Sequence, residues 1–373
     1  MFMKILFAGG GTAGHINPAL AIADYIKSKH KDVEIYYIGT PDKLEAKLVP
    51  EKNYAFYPIK VAGFSRSLSI KGIAHNINSA KLAATSSVKA KKLLKEIKPD
   101  LVIGTGGYVS GPVLKAAQSL KIKNAIHEQN AFPGVTTKML APKADRVMLA
   151  MIEAEKYLKL NKKPIVTGNP IRQELLKMDK QTARKKLGLD DNRPLILSFG
   201  GSLGARHLNE AVCELIKWHN PTEKYYHIHA TGKIGYDNMI KSLEGEKLHK
   251  GIQIREYIND MDVCMAAADL VISRAGAITL GEISACGKAS VLIPSPYVAE
   301  NHQFHNAMTH KKVGAAEIIE EKDLTAEKII ETVKYLIDDK EKLAAMEKAA
   351  RDNAIIDANE RIYKVLSELC DFS

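Results

Sequence analysis

The chain has 373 residues, 46% of them hydrophobic and 26% charged, with a formal net charge of +11 at pH 7. This length exceeds what one ordinary hydrophobic core holds, so we expect two domains of a globular, non-membrane-spanning protein. The four cysteines stand far apart without a CxxC pair, which excludes a disulfide framework and a cysteine zinc site and predicts a reducing compartment.

The positive charge is concentrated in one stretch. Between Lys60 and Lys98 there are nine Lys or Arg residues and one acid, Glu96, a net charge of +8. Such a stretch predicts an anionic partner. Its only aromatic residue is Phe64, so the stacking platform of a nucleic-acid-binding protein is missing, and we expect no nucleic acid partner.

No part of the sequence is typical of a membrane span. No window approaches 18 consecutive apolar residues, and the apolar run after Lys4 soon reaches glycines, unlike a signal peptide. We therefore expect any contact with a membrane to be peripheral.

The first predicted unit is a strand, a glycine turn and a helix. Residues 4–8 form a short apolar run, residues 9–14 contain three glycines spaced as GxGxxG, and residues 19–26 are helical in pattern. A dinucleotide site would need an acid at the end of the second strand, and Gly39-Thr40 stand there instead. We therefore expect no nicotinamide or flavin cofactor.

Two residues of the N-terminal half are candidate general bases. His15 follows the glycine turn directly, and its unperturbed pKa lies near neutrality, although it could equally bond loop backbone or an acceptor phosphate. Glu128 follows another predicted strand, at 124–127, and the sequence does not rank it below His15.

The chain then repeats its own pattern. Residues 194–199 and 200–205 form a second apolar strand and glycine turn, and Asp269–Ile272 repeats Asp100–Ile103 letter for letter. Two repeated patterns in the same order favour two tandem doubly wound α/β domains that face each other across a cleft. We expect an N-terminal domain at 1–168, a C-terminal domain at 169–351, and a last helix at about 352–373 that packs back on the first.

The stretch 269–306 is the most informative of the second domain. It predicts strand, glycine turn, helix from about Ala277, strand and polar loop, so unpaired helix N–H groups face the ligand end of the sheet. Glu282 in this helix could receive sugar hydroxyls, and Gln303 lies in the next loop, although both could be ordinary surface residues. Helix starts at 202–206 and 276–279 could receive a pyrophosphate. The pair Asp260 and Asp262 is typical of a helix start rather than of a metal site, so we expect no bound metal.

Six segments resemble the MurG family of GT-B glycosyltransferases, in order and over nearly the whole chain: residues 10–15 (GGTAGH), 104–112 (GTGGYVSGP), 127–130 (HEQN), 167–172 (TGNPIR), 200–206 (GGSLGAR) and 274–279 (RAGAIT). The resemblance implies inverting transfer of N-acetylglucosamine from UDP-N-acetylglucosamine to undecaprenyl-pyrophosphoryl-muramyl-pentapeptide (lipid I). The product would be the β-1,4-linked lipid II of peptidoglycan synthesis, made at the cytoplasmic face of the bacterial membrane.

The resemblance also implies site residues. The positions that match the family's UDP-sugar site are Thr12, Ala13, Gly14, Asn130, Arg172, Ser202, Ile258, Ala277, Ile278, Thr279, Leu280, Gly281, Glu282 and Gln303. Gly106, Gly107 and Tyr108 match its acceptor side. The family usually has Gly where Ala13 stands, which requires a negative φ at Ala13, and often Ser where Gly281 stands.

Other interpretations remain open. A different GT-B enzyme, such as a diacylglycerol glycosyltransferase or a UDP-N-acetylglucosamine 2-epimerase, would keep the UDP-sugar segments. The N-terminal segments 104–112 and 127–130 favour the MurG family. We further expect the stretch Lys60–Lys98 to bind anionic membrane lipid, with apolar residues such as Phe64 and Leu68 entering the headgroup region beside its lysines.

Overall fold

The computed structural model describes residues 2–61, 70–201 and 204–372; in the helix at 70–97, side chains are described at 82 and from 85 onward. The chain divides into two compact units. Unit 1 consists of Met1–Pro170 and Asp357–Ser373, and unit 2 of Ile171–Ile356. No described helix is long and apolar enough to cross a membrane.

Unit 1 contains a parallel sheet of seven described strands in the order β3-β2-β1-β4-β5-β6-β7. The strands are β1 (Lys4–Gly9), β2 (Glu34–Gly39), β3 (Ala55–Pro58), β4 (Leu101–Gly106), β5 (Lys123–Glu128), β6 (Arg146–Leu149) and β7 (Ile165–Val166). The helices between them are α1 (Ala13–Lys29), α2 (Glu45–Glu51), α3 (Ile70–Ile97), α4 (Ser110–Ser119) and α5 (Val135–Leu140).

Helices cover both faces of this sheet, which explains why its strands read as continuous apolar runs. In β1, Ile5 and Phe7 pack with the apolar side of α1, whereas Leu6 and Ala8 face the cluster that includes Leu94 of α3. Because successive side chains of a strand point to opposite faces, one five-residue run supplies both cores.

Unit 2 repeats this architecture with a parallel sheet of six described strands in the order β10-β9-β8-β11-β12-β13. The strands are β8 (Leu195–Phe199), β9 (Tyr226–Ala230), β10 (Ile252–Arg255), β11 (Leu270–Ser273), β12 (Ala289–Leu292) and β13 (Ala316–Ile318). Its helices are α6 (Lys180–Lys186), α7 (Arg206–His219), α8 (Tyr236–Ser242), α9 (Met261–Ala267), α10 (Ala277–Ala285), α11 (His302–Lys312), α12 (Ala326–Asp338) and α13 (Lys340–Asp352). The 3-10 turns within the described residues of the two units are Ala141–Lys143, Ile152–Tyr157, Gln173–Leu176, Asn220–Thr222, Ala299–Asn301 and Glu321–Asp323.

The C-terminal helices differ from the sequence expectation. The helix α13 was not predicted, and the last helix, α14 (Ala358–Ser367), begins six residues after the expected position 352. Ile356, within the range expected for the last helix, precedes α14 and is 52% exposed. Ile362, Val365 and Leu366 of α14 are buried in the core of unit 1 together with α1.

A cluster of buried histidines lies in the core of unit 2. His227 and His229 of β9 and His219 at the end of α7 are each 0% exposed. His219 Nε2 lies 3.0 Å from His227 Nδ1, and the Ser198 hydroxyl lies 2.8 Å from both His227 Nε2 and His229 Nδ1. These imidazoles form one continuous hydrogen-bonded chain across β8 and β9.

Candidate active site

The turn between β1 and α1 places the first set of predicted residues at the carboxyl end of the unit 1 sheet. Gly11 has a φ of +89°, and Thr12 precedes Ala13, the first residue of α1. Ala13 therefore has the negative φ of a helix, which is the condition under which alanine can replace the family's glycine. Thr12 and Gly14 are exposed at this helix start.

A buried carboxylate that sequence analysis missed supports this turn. Glu45 is 0% exposed, and its Oε1 accepts hydrogen bonds from the Thr40 backbone nitrogen at 2.9 Å and from the Thr40 hydroxyl at 2.6 Å. Its Oε2 accepts one from the Gly11 nitrogen at 3.1 Å. The Cβ of any residue replacing Gly10 would lie 2.2 Å from Glu45, so Glu45 and the glycine turn pack as one piece. No local pattern marks Glu45, because it stands several residues beyond the end of β2.

His15 is held through one ring nitrogen. Its Nδ1 lies 3.1 Å from the Thr105 carbonyl oxygen and 3.2 Å from Gln129 Oε1. Both partners are acceptors, so Nδ1 carries the proton and Nε2 carries the lone pair. Nε2 has no hydrogen-bond partner among the described residues, and an imidazole in this tautomer can accept a proton there.

A second layer of buried groups fixes the amide that holds His15. Gln129 is 2% exposed, and its Nε2 donates to the His127 carbonyl at 2.8 Å and lies 3.0 Å from His127 Nδ1. His127 Nε2 in turn donates to the Gly168 carbonyl at 3.0 Å. Burial lowers the pKa of His127, so this ring stays neutral. The amide oxygen of Gln129 is therefore directed at His15.

Gly106 and Gly107, expected on the acceptor side, allow two turns to approach closely. Their φ values are +106° and +78°. A Cβ at Gly106 would lie 2.6 Å from His15 Nδ1, and one at Gly107 would lie 2.2 Å from the Gly10 carbonyl. The next residue, Tyr108, is 63% exposed. The glycines thus bring the β4–α4 turn against His15 and leave a tyrosine accessible beside it.

Glu128, the other candidate base, is 4% exposed and bound to its own loop. Its Oε1 accepts from the backbone and side-chain nitrogens of Asn130, both at 3.2 Å. Its Oε2 accepts from the Gly134 nitrogen at 3.2 Å and from the Thr137 hydroxyl at 2.6 Å. Four donors around a buried carboxylate are typical of a group that shapes a loop, here the loop that carries Asn130.

In unit 2, the start of α10 carries the second set of predicted residues. Gly276, which has no side chain to cap the helix, precedes Ala277, the first residue of α10. Ile278, Thr279 and Gly281 are partly exposed. Leu280 is 0% exposed and belongs to the core, so any ligand contact at this position involves its backbone.

Arg172 and Glu282 form a bidentate ion pair. Arg172 Nε donates to Glu282 Oε1 at 2.7 Å and Arg172 Nη2 donates to Oε2 at 3.0 Å. The Glu282 side chain is 9% exposed and that of Arg172 is 55% exposed. The hydrogen bonds that Arg172 donates to Glu282 raise the pKa of Arg172. The sequence placed both residues at the UDP-sugar site, but their direct pairing across 110 positions could not be predicted.

The remaining predicted residues lie near the start of α9 and in α11; Gln303, expected in a loop, is the second residue of α11. Gln303 Oε1 accepts from the Ser295 nitrogen at 2.9 Å, which fixes the loop after β12. Ile258 is 3% exposed between β10 and α9. Asp260 lies at the start of α9 as expected but does not cap it; its carboxylate accepts from Arg255 Nη1 at 2.7 Å. Ser202 lies outside the described residues.

The turn before α7 is also shaped by glycine. Gly201 and Gly204 have φ values of +92° and +81°. A Cβ at Gly204 would lie 2.1 Å from the Thr231 carbonyl oxygen, so only glycine lets this turn lie against the end of β9. Within the described part of the chain, no group of three or more His, Cys, Asp or Glu residues is arranged to hold a metal ion.

Comparison with known proteins agrees with this architecture. Residues 5–149 match the glycosyltransferase family 28 N-terminal domain and residues 195–362 match its C-terminal domain. The crystal structure of Acinetobacter baumannii MurG matches with a TM-score of 0.79 and 28% identity, covering 98% of this chain and 99% of that one. A UDP-GlcNAc 2-epimerase from Neisseria meningitidis, bound to UDP-GlcNAc, shares the fold alone, with a TM-score of 0.67, 15% identity and coverage of 98% and 100%. Two parallel α/β units with these domains define a GT-B glycosyltransferase.

Relatives of higher sequence identity indicate the family of glycosyltransferases to which the chain belongs. A protein from Acetivibrio thermocellus named UDP-N-acetylglucosamine–N-acetylmuramyl-(pentapeptide) pyrophosphoryl-undecaprenol N-acetylglucosamine transferase is 49% identical over 98% of this chain and 98% of its own length. A protein of the same name from Caldanaerobacter subterraneus subsp. tengcongensis is 44% identical over 98% of this chain and 100% of its own length. The chain belongs to the MurG family.

Proposed function

We propose that this protein is an inverting glycosyltransferase that moves N-acetylglucosamine from UDP-N-acetylglucosamine to lipid I and forms the β-1,4-linked lipid II of peptidoglycan synthesis. The observation that carries this conclusion is the 49% identity, over 98% of both chains, to a transferase of that name. The arrangement of each unit is consistent with this chemistry.

The UDP-sugar binds in unit 2 in this proposal. The start of α10 directs the positive end of its dipole at the diphosphate, with α7 in the same role beyond Gly204. Glu282 receives the ribose hydroxyls through the oxygen lone pairs that Arg172 leaves unused. Arg172 carries the cation closest to this carboxylate and balances the charge of the leaving UDP.

The general base in this proposal is His15 rather than Glu128. His15 presents the lone pair of Nε2, whereas both oxygens of Glu128 already accept hydrogen bonds inside the loop. The acceptor hydroxyl gives its proton to Nε2 while its oxygen bonds to the sugar C1 from the face opposite UDP. The bond from C1 to the UDP oxygen breaks with its electrons staying on UDP, and inversion follows.

The protein works at the cytoplasmic face of the membrane in this proposal, held through the stretch Lys60–Lys98. Lys89, Lys91 and Lys92 are exposed on α3. The more N-terminal part of this stretch, including Phe64, Arg66 and Leu68, lies outside the described residues. Each basic side chain near an anionic surface contributes about 1 kcal/mol, so three or four are enough for reversible binding.

Vesicle sedimentation tests this membrane contact. Binding should require anionic lipid, weaken as salt is added, and fall when Lys89, Lys91 and Lys92 are replaced by Glu. A matched triple replacement of exposed lysines on unit 2, at Lys224, Lys233 and Lys250, should leave binding unchanged. Binding that ignores salt would place the contact elsewhere.

The activity is tested by one incubation with labelled UDP-N-acetylglucosamine and a lipid I analogue. Label should move to the lipid product and UDP should be released in equal amount. Formation of UDP-N-acetylmannosamine without transfer would instead identify an epimerase, and label in a diacylglycerol acceptor would identify a glycolipid glycosyltransferase.

A further inference from the structure

A single carboxylate connects the two turns of unit 2 that precede α7 and α10. His207 is the second residue of α7, directly after the glycine turn that ends at Ala205. Arg274 lies in the turn between β11 and α10, two residues before Gly276. Glu321, the first residue of a 3-10 turn after β13, contacts both side chains.

The contacts form a chain of four side chains. His207 Nδ1 donates to Glu321 Oε1 at 2.9 Å, and Arg274 forms an ion pair with the other oxygen of the same carboxylate. Arg206 Nη2 lies 3.0 Å from His207 Nε2. Because a guanidinium only donates, Nε2 is the acceptor and the proton of His207 lies on Nδ1, facing Glu321. Neutral His207 is thus already in the tautomer that this bridge requires.

The bridge that Glu321 forms between His207 and Arg274 is charged, and it is largely shielded from solvent at Glu321 and Arg274. The Glu321 side chain is 6% exposed and that of Arg274 is 13% exposed. Burial raises the pKa of Glu321, but the hydrogen bonds that Arg274 and His207 donate and the charge of Arg274 outweigh this, and the net pKa is lowered. Arg274 is held from a second side, because its Nη1 donates to the Ile293 carbonyl at 3.1 Å. Glu321 therefore stays ionised and fixes the arginine in one position.

We propose that Glu321 is a positioning residue for the UDP-sugar. By tying the start of α7 to the turn before α10, it sets the spacing of the two helix N-termini that receive the diphosphate. This inference rests on the proposed function, since it assigns the diphosphate of the nucleotide sugar to these two helix ends. Glu321 itself does not touch the donor; it acts through His207 and Arg274. Losing the bridge lets the two turns move independently and weakens donor binding without altering the reacting groups.

The decisive variant is Glu321→Gln, which keeps the shape of the side chain and an oxygen for His207 but removes the charge opposite Arg274. We expect the Kd for UDP, measured by calorimetry, and the KM for UDP-N-acetylglucosamine to rise about tenfold. The kcat and the KM for the lipid acceptor should change less than about twofold. A purely structural role would lower the thermal unfolding midpoint and the active fraction while leaving the KM of the remaining enzyme unchanged.

The neighbouring acid provides a matched control. Glu320 carries the same side chain one residue earlier, is 42% exposed and pairs with Lys322 at 3.4 Å. Glu320→Gln should leave UDP binding and KM at their wild-type values. His207→Phe should reproduce part of the Glu321→Gln effect, and the double variant should be no weaker than the worse single variant, because the bridge is already broken.

Equal UDP affinity in wild type and Glu321→Gln, or a fall in kcat at constant KM, overturns the inference and leaves the transferase activity standing. A wild-type protein that transfers no sugar and binds no UDP overturns both. Additive losses in the double variant would also contradict it, since they would mean that His207 and Glu321 act separately.

Discussion

The two units hold the polar groups behind their glycine turns in different ways. In unit 1, His15 and Glu128 are held by neutral partners: carbonyls, amides and a hydroxyl. In unit 2, Glu282 and Glu321 are held by Arg172 and Arg274. The partners in unit 1 are uncharged groups, whereas each ion pair in unit 2 places a full opposite charge against its carboxylate. In the proposed function, unit 1 carries the proton transfer and unit 2 recognises the charged donor.

The largest expected effect tests the role of unit 1 in this comparison. His15→Ala should reduce turnover on the order of 10²-fold or more while UDP-N-acetylglucosamine binding stays nearly intact, because the lone pair of Nε2 is lost and the donor groups are not. Steady-state kinetics gives the first quantity and calorimetry with UDP-N-acetylglucosamine gives the second.

The control for this variant lies just beyond the same helix. His30→Ala removes the histidine that follows the last residue of α1 and contacts Tyr363 rather than the turn, and it should leave kcat near its wild-type value. An equal loss of donor affinity in His15→Ala would make His15 a donor-site or structural residue, and the division of labour between the units would not hold.

The next effect tests unit 2. Glu282→Ala should weaken UDP-sugar binding by about 1.5 to 3 kcal/mol, because it removes charge-assisted hydrogen bonds and leaves Arg172 without its carboxylate partner. The thermal unfolding midpoint should change little, since the Arg172 side chain is 55% exposed and can be solvated. Calorimetry with the UDP-sugar measures the affinity of Glu282→Ala. Glu331→Ala, which replaces an exposed acid of α12, is the control and should bind as the wild type does. If Glu282→Ala binds the UDP-sugar as tightly as the wild type does, Glu282 does not belong to the UDP-sugar site.

Acid should destabilise unit 2 through its buried histidines. Burial lowers the pKa of His219 and His229 from 6.5 to about 4. The unfolded chain therefore binds more protons than the folded one between these values, so stability is full above about pH 6.5 and falls as the pH drops toward 4. At pH 5.5 the loss is about 1 kcal/mol for each of the two histidines.

This loss is measurable with the protein's own fluorophore. Trp218 is the single tryptophan of the chain and packs beside the unit 2 core. Urea unfolding followed by its emission at pH 8, 6.5 and 5.5 should show the decline, and His229→Leu should give a shallower one even if the variant is less stable throughout. A midpoint that does not change with pH would contradict the burial of neutral imidazoles.

The smallest expected effect is that of removing divalent metal ions, which should leave turnover unchanged. Because Arg172 and the two helix N-termini supply the positive charge near the leaving UDP in this mechanism, turnover should survive EDTA. Chelation that abolishes turnover, with recovery on adding Mg²⁺, would mean that the ion pairs of unit 2 are not the counter-charge.

The sequence predicts β1, β4, β8 and β11 well because each of these four strands is an apolar run followed by a glycine turn. Those turns also carry most of the predicted site residues. What could not be predicted depends on contacts between distant positions: Glu45 beneath the first turn, Gln129 directed at His15, and Glu321 between His207 and Arg274. The helix α13 was missed for another reason, since only Met346 and Ala350 on it are buried and its apolar pattern is weak.

The return of the chain to unit 1 has a consequence for protein synthesis. Residues 171–356 form unit 2 between the two parts of unit 1, and Ile362, Val365 and Leu366 of α14 complete the core against α1. On the ribosome, unit 2 can therefore finish folding while the core of unit 1 still lacks the apolar side chains of α14. The first unit to be translated is the last to be completed, and its surface needs protection from aggregation until residues 357–372 emerge.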